Sequence, residues 1–344
     1  MRKDGALVPV TWREALQTAV AGLQAALSNG GIAAAASARC TNEELYLLKG
    51  LAPGRVAVWP HSELLAQGLA ANFPPAGIAD IANAQLLILL DADPSQEQPL
   101  IDLWVKKAVT KHKAKLATID QRELELDRFA RSKLEGGAEM LEHAGRLAEE
   151  KDHIIIMIGA GAATGPAIAD LLAHLRDFVS KRPDKVGVLF LAEQANSVGA
   201  VDLGLGAGNG AAGGGALFVL HSNPAAEESL RAELEKIPFV VYQGATLNET
   251  AHLAHVLLPG AAFAEKEGTF TNTERRVQRL RRGSELPGEA RDDWTILRDL
   301  GQQLGLPWAF KCAAEVFKSL AQETPAYAGL DYAIIGLGGK RVPA

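Results

Sequence analysis

The run Leu86–Leu90 (LLILL) constrains this chain more than any other stretch. A strand with one wet face alternates apolar and polar residues; five consecutive apolar residues closed by Asp91-Ala92-Asp93-Pro94 instead suit a parallel strand covered on both faces. Ile78 to Asp93 reads as an amphipathic lead into that strand. A helical stretch, Leu100 to Val109, and a second strand, Lys115 to Ile119, complete a βαβ unit ending at Asp120-Gln121-Arg122. Past a charged linker, Glu139 to Asp152, the pattern repeats: HIIIMIGAGAATGPAIADLLAHLRDFV is strand, glycine loop and helix. Further strands are expected at Ile32–Ser37, Val186–Leu191, Ala216–Leu220, Phe239–Tyr242 and His255–Leu258. The fold class is therefore α/β with mostly parallel sheets, although sheet order cannot be read from the pattern.

Local signals mark the helices. Trp12 to Leu27 has helical spacing, with Thr11 as N-cap and Ser28-Asn29-Gly30-Gly31 as the stop. Thr41 followed by Glu44 is a capping box that opens a helix through Leu51. Gly204 to Gly215 carries too little side-chain surface to pack and reads as a flexible loop.

Charge and cysteine content exclude several function classes. The formal net charge of −6 argues against a general nucleic-acid footprint, which needs a basic surface. No apolar stretch approaches the roughly 18 to 20 residues that cross a bilayer, and the start MRKDGALVPV lacks the apolar core of a signal peptide. A cytoplasmic protein is expected, touching a membrane only through partners. Cys40 and Cys312 stand alone, so four thiolates for an iron-sulfur cluster are not available from this chain. Cys40 reads either as a thiol near a helix N-terminus or, the better fit, as a small buried residue at a strand end.

Candidate sites come from loops. Gly159, Gly161 and Gly165 form a G-x-G-x-x-x-G turn whose amides and following helix could receive a phosphate; a tight turn packing helix on strand is the competing explanation. Glu193 lies too far beyond it for the ribose acid of a dinucleotide site. Glu249, His252 and His255 have spacing that suggests zinc, against a plain strand-start role for His255. The arginines 275, 276, 279, 281 and 282 read as a salt-bridged face or a contact for an acidic partner. In EKEGTFTNTERRVQ, Gly268 supplies either positive φ or room for close approach, and Thr269, Thr271, Asn272 and Thr273 supply short hydrogen-bonding side chains. A surface hairpin with a solvated basic strand is the plain alternative for this block.

That block, with Pro287-Gly288-Glu289-Ala290-Arg291-Asp292-Asp293-Trp294 after it, resembles a signature of the molybdopterin oxidoreductase family. DGALVPVTWREAL, SARCTNEELYLLKGLA and PAYAGLDYAIIGLGGKRVPA resemble other segments of the same family. The resemblance implies two interleaved Rossmann-like α/β domains: a first at 1–138, a second at 139–248, and a return segment at 249–344 completing the first. Within the family the pattern is similar to the large subunit of NADH-quinone oxidoreductase (complex I), with the formate dehydrogenase large subunit as alternative and a free-standing nucleotide-binding module as a third reading. Where formate dehydrogenases carry a metal-ligating cysteine, Gly54 to Ser62 holds none; His61 and Ser62 there could in principle ligate a metal, against a plain structural role in a loop.

The resemblance further implies that loops Asp91 to Pro94 with Pro99, and Asp120 with Arg122, correspond to loops holding guanosine and ribose groups, with His221-Ser222-Asn223-Pro224 matching a second such turn. The implied vestigial pterin or nucleotide site comprises Asp93, Pro94, Asp120, Arg122, Gly159, Gly161, Gly165, Asn223, Pro224, Gly268, Thr269 and Asn272, with no catalytic or metal residue. Asp91 stands where the family has Gly, which makes a phosphate less welcome. Under the complex I reading the chain is a scaffold binding no cofactor, with iron-sulfur clusters and FMN in partner subunits of a peripheral arm on the inner face of the membrane. Under the alternative it binds molybdopterin guanine dinucleotide.

Overall fold

The computed structural model describes residues 1–59, 62–150, 152–206 and 214–342. They form two compact units. The first draws on Met1–His61, Gln194–Thr271 and Arg276–Val342; the second on Ser62–Glu193 with Asn272–Arg275.

In the second unit Leu86–Leu90 is the middle strand of five, all parallel. Lys115–Ile119 and then Ser132–Leu134 lie on one side, Ile154–Ile158 and then Val186–Phe190 on the other. Every residue of Leu86–Leu90, Ile154–Ile158 and Val186–Phe190 is buried, as their unbroken apolar runs require. The helix Pro99–His112 starts on a proline whose missing N–H would be unbonded there anyway, and buries Ile101, Val105 and Ala108. The helix Ala167–Ser180 buries Ile168, Leu171, Leu172, Leu175 and Phe178. Each such large apolar side chain contributes about 1.5–3 kcal/mol when fully buried.

The first unit has its own parallel sheet, in the order Val256–Pro259, Val240–Gly244, Ala216–Leu220, Ile32–Ala36, Val56–Val58. The helix Trp12–Leu27 is opened by Thr11 and the helix Asn42–Leu51 by Thr41, each through a complete capping box. Both helices bury leucines in the core that also takes one face of this sheet.

The fold class is as the sequence indicates, and the two units are interleaved along the chain. Their boundaries fall elsewhere than at 138/139 and 248/249. Leu86 to Leu90 pairs with Ile154 to Ile158 in one ladder, so a break at 138/139 would cut a sheet. Ala216–Leu220 pairs with Ile32–Ala36, not with the strands around residue 154. Uniformly apolar strands carry no signal of which neighbour they join.

A three-stranded antiparallel sheet completes the first unit: Gly268–Thr271, Arg276–Leu280 and Lys340–Arg341. The solvated-hairpin alternative fails for its first strand. Thr269 and Thr271 are fully buried, hydrogen-bonded to the first turn of the helix Asn42–Leu51. The seven residues 207–213, most of the expected glycine-rich loop, lie outside the described residues, as do His61 and Lys151.

Candidate functional site

In doubly wound sheets a ligand sits beyond the carboxyl ends of the strands, where chain order reverses. In the second unit that point lies between Leu86–Leu90 and Ile154–Ile158, with the loops Asp91–Pro94 and Gly159–Gly165 at its rim. Asp120 and Arg122 follow the adjoining strand. The structure therefore brings Asp93, Pro94, Asp120, Arg122, Gly159, Gly161 and Gly165 to one edge of one sheet.

The chemistry of that edge is acidic. Arg122 donates to Asp120 through its backbone amide (2.8 Å) and through Nε and Nη2 (3.0 and 2.8 Å), and Nη2 also reaches Asp91 at 3.2 Å. Burial and the neighbouring Asp120 charge push the Asp91 carboxyl up, while for Asp120 the bonds from Arg122 outweigh burial and hold it down. Burial also raises Glu97, with Asp93, Asp91 and Glu193 as further negative neighbours. Gly159 serves close packing: a Cβ there would stand 1.8 Å from the Asp91 carbonyl oxygen. Gly165 supplies positive φ (54°), with open space around it. Asp93 and Pro94 start a short helical turn, and Asp93 accepts the Ser95 hydroxyl. Such an edge suits hydroxyl or amino donors of a nucleoside and does not suit phosphate, which needs unopposed N–H groups or cations.

In the first unit the corresponding point lies between Ile32–Ala36 and Ala216–Leu220. Asn223 and Pro224 begin the loop's short helical turn, but the Asn223 side chain is engaged at both ends: it donates to Glu249 at 2.6 Å and accepts from the Thr250 amide and hydroxyl at 3.1 and 3.0 Å. His221 holds φ 50° and points Nε2 at Asp293, 2.9 Å away. Asp293 also accepts from Gln243 (2.8 Å) and pairs with Lys266 (2.9 Å), whose ammonium reaches Glu44 at 3.0 Å. Glu44, Asp293 and Lys266 are all nearly or fully buried. Burial works against charge on Lys266, yet Glu44 and Asp293 hold it well above the usual lysine range. Burial likewise opposes the charge of Asp293, but His221 and Lys266 keep it well below the usual carboxylate range. Burial raises Glu44 and also pushes up the thiol of Cys40, which is fully enclosed, so Cys40 is a packing residue.

Next to this cluster, Glu43 accepts from the Thr269 amide (2.8 Å), the Thr269 hydroxyl (3.0 Å) and Tyr332 (2.9 Å). Burial pushes Glu43 up to about 7. A Cβ on Gly268 would meet Thr41 at 2.6 Å, so that glycine gives room, not positive φ. Gly268 and Thr269 are thus committed to internal packing and leave no face for a ligand. Asn272 accepts the Glu274 amide at 3.1 Å within the turn Asn272–Arg275, which belongs to the second unit. The expected residues thus fall into three places: the carboxyl end of the second unit's sheet, where Arg122, Gly161 and Gly165 are exposed and Asp120, Pro94 and Gly159 buried; internal braces in the first unit; and Asn272 in a separate turn of the second unit.

Sequence reasoning missed Lys266, Asp293, His221 and Gln243 as a set. Lys266 sits between two glutamates and reads as solvated, while Glu44 shows its cap role but not its second partner 222 residues away. The zinc alternative is not supported: His255 Nδ1 accepts the Val240 amide at 3.0 Å, and no group of three metal-ligating side chains occurs among the described residues. Ser62 caps the helix Glu63–Ala70 by accepting from Leu65, and His61 lies outside the described residues. Among these arginines, Arg279 pairs with Glu267 at 2.7 Å and Arg282 with Asp292 at 2.5 Å. No described helix is long and apolar enough to cross a membrane.

Comparison with known proteins corrects one expectation. The chain is 45% identical over 112 residues to the F420-dependent formate dehydrogenase 2 subunit alpha of Methanococcus maripaludis, a match covering 32% of this chain and 17% of that one. It is 38% identical over 133 residues to the corresponding subunit of Methanocaldococcus jannaschii, covering 37% and 20%. The matches thus span no more than a fifth of these relatives' length. The acetylene hydratase of Pelobacter acetylenicus shares the fold, with a TM-score of 0.61 at 14% identity over 96% of this chain and 63% of that one. Formate dehydrogenase relatives overturn the complex I reading, and the comparisons give no support to the quinone and respiratory-chain assignment that went with it. The family description "Molybdopterin oxidoreductase" matches residues 1–303, and the chain belongs to the molybdopterin oxidoreductase family.

Proposed function

We propose that this chain supplies the two α/β units of a formate-dehydrogenase-like molybdopterin oxidoreductase that works with a separate cluster-bearing subunit. The similarity to formate dehydrogenase alpha subunits, 45% over 112 residues, carries this reading. In the reading, molybdopterin guanine dinucleotide would supply the redox chemistry, its nucleoside hydroxyl and amino groups, not its phosphates, suiting the acidic edge of the second unit. This chain's contribution is binding: the part-exposed Asp93 carboxylate accepts hydrogen bonds from ligand hydroxyl or amino groups beside Arg122, which the buried Asp120 holds in place. The proposed setting is the cytoplasm, with any membrane contact made through partners.

The test is purification of the chain from its native host under mild detergent, with identification of companions, molybdenum and pterin analysis, and a formate-dependent dye-reduction assay on one sample. Stoichiometric pterin and molybdenum with formate oxidation support the reading. Recovery of the intact assembly without pterin and without formate oxidation overturns it.

A further inference from the structure

We propose that the outer face of the helix Pro99–His112 docks a second copy of this chain, the two helices lying antiparallel with Leu103 of each beside the twofold axis. The inference does not rest on the formate reading; it concerns a face of the second unit turned away from the sheet.

A helix that packs on a sheet buries one apolar stripe and turns polar side chains outward. Pro99–His112 obeys the first half of that rule, burying Ile101, Val105 and Ala108, and breaks the second. Leu100 is 72% exposed and Leu103 61%. With half-buried Trp104 and exposed Lys107 and Lys111 they follow a three-and-four spacing, the seam along which two helices pair. Lys107 lies over the Trp104 ring, 4.6 Å from its centroid, so its stem widens the apolar strip. On the neighbouring row Lys106 is paired with Asp102 and Glu125, whereas Lys107 and Lys111 make no ion pair with a described residue.

The charges select a second copy as the occupant. Glu97, exposed and without an ion pair among the described residues, precedes the helix, and the two lysines stand toward its other end. A parallel arrangement would set lysine against lysine. Turned antiparallel about Leu103, Leu100 of one copy meets Trp104 of the other, and the same register sets Glu97 against Lys107 at both ends of the seam. One sequence thus supplies both halves of an apolar contact closed by opposite charges, as a twofold interface requires. The opposed helix dipoles favour the same orientation.

Sedimentation velocity of the full chain at low salt, from low- to high-micromolar concentration, is expected to show a monomer–dimer equilibrium. Leu103→Lys changes an exposed position and leaves the buried stripe intact, so circular dichroism and the unfolding midpoint should match the parent chain. It should weaken the dimer by about tenfold or more, since it puts two like charges beside the axis. Glu97→Lys and Lys107→Glu should each weaken it by about fivefold, because the twofold repeats every substitution, and the double exchange should restore it. A chain that is monomeric at every concentration, its outer face kept for a different subunit, overturns the proposal. So does a dimer unaffected by Leu103→Lys, or one whose affinity the double exchange fails to restore.

Discussion

Lys266 pairs with two carboxylates that solvent does not reach. Truncating it leaves Glu44 and Asp293 buried with one positive neighbour fewer, and removal of one partner from a buried ion pair costs about 3–5 kcal/mol. Lys266→Met is expected to lower stability by that order in urea unfolding; a loss below about 1 kcal/mol would mean that water reaches the cluster. Glu43 makes a second residue-scale prediction. Its folded pKa of about 7 lies above the ordinary 4.5, so the native state holds the extra proton. The resulting stabilisation is complete below about 4.5 and is lost as pH rises through about 7. Stability of the parent chain should therefore fall over that window more steeply than that of Glu43→Gln; parallel pH profiles would show that Glu43 does not titrate there.

At the scale of elements, Gly159 and Gly165 belong to one motif in the sequence but serve different ends. Gly159 faces the Asp91 carbonyl of a neighbouring loop, which is backbone and cannot step aside, so Gly159→Ala must push two strand ends apart. Overpacking of this kind costs typically 1–3 kcal/mol, and the upper end is expected here from thermal unfolding. Gly165 meets nothing, and Gly165→Ala bears only the left-handed strain of about 1–2 kcal/mol. If both substitutions cost the same, close approach is not the reason for the first glycine. Local elements were legible in the sequence where a local rule governs them. The N-cap Thr11, the capping box Thr41–Glu44 and the strand Ala216–Leu220 stand where pattern places them. Asp91, Asp120 and Gly159 follow directly on expected strands, so their place at one end of a sheet follows from pattern.

At the scale of the molecule, sheet membership predicts which pieces fold alone. Residues 62–193 contain all five strands of one parallel sheet with both of its long helices, and lose only the turn Asn272–Arg275, whose Thr273 hydroxyl donates to the Phe190 carbonyl at 2.6 Å. A fragment of residues 62–193 should unfold cooperatively by circular dichroism, somewhat less stably than in the whole chain. A fragment of residues 1–138 should not, because it divides both sheets: three strands of one and two of the other are missing. Cooperative unfolding of the latter would contradict the strand pairing.

The sequence alone determined the α/β class, the strands, the caps and the charge of the loops, since these follow from propensity, burial pattern and chemistry within about ten residues. Only the tertiary structure decided strand partners, unit boundaries and the fate of Gly268 and Thr269. Those depend on contacts between segments far apart in the chain, such as Glu44 with Lys266 and Ile32–Ala36 with Ala216–Leu220. An apolar strand or a short polar side chain reads the same whatever distant partner it meets, so no local pattern records the choice.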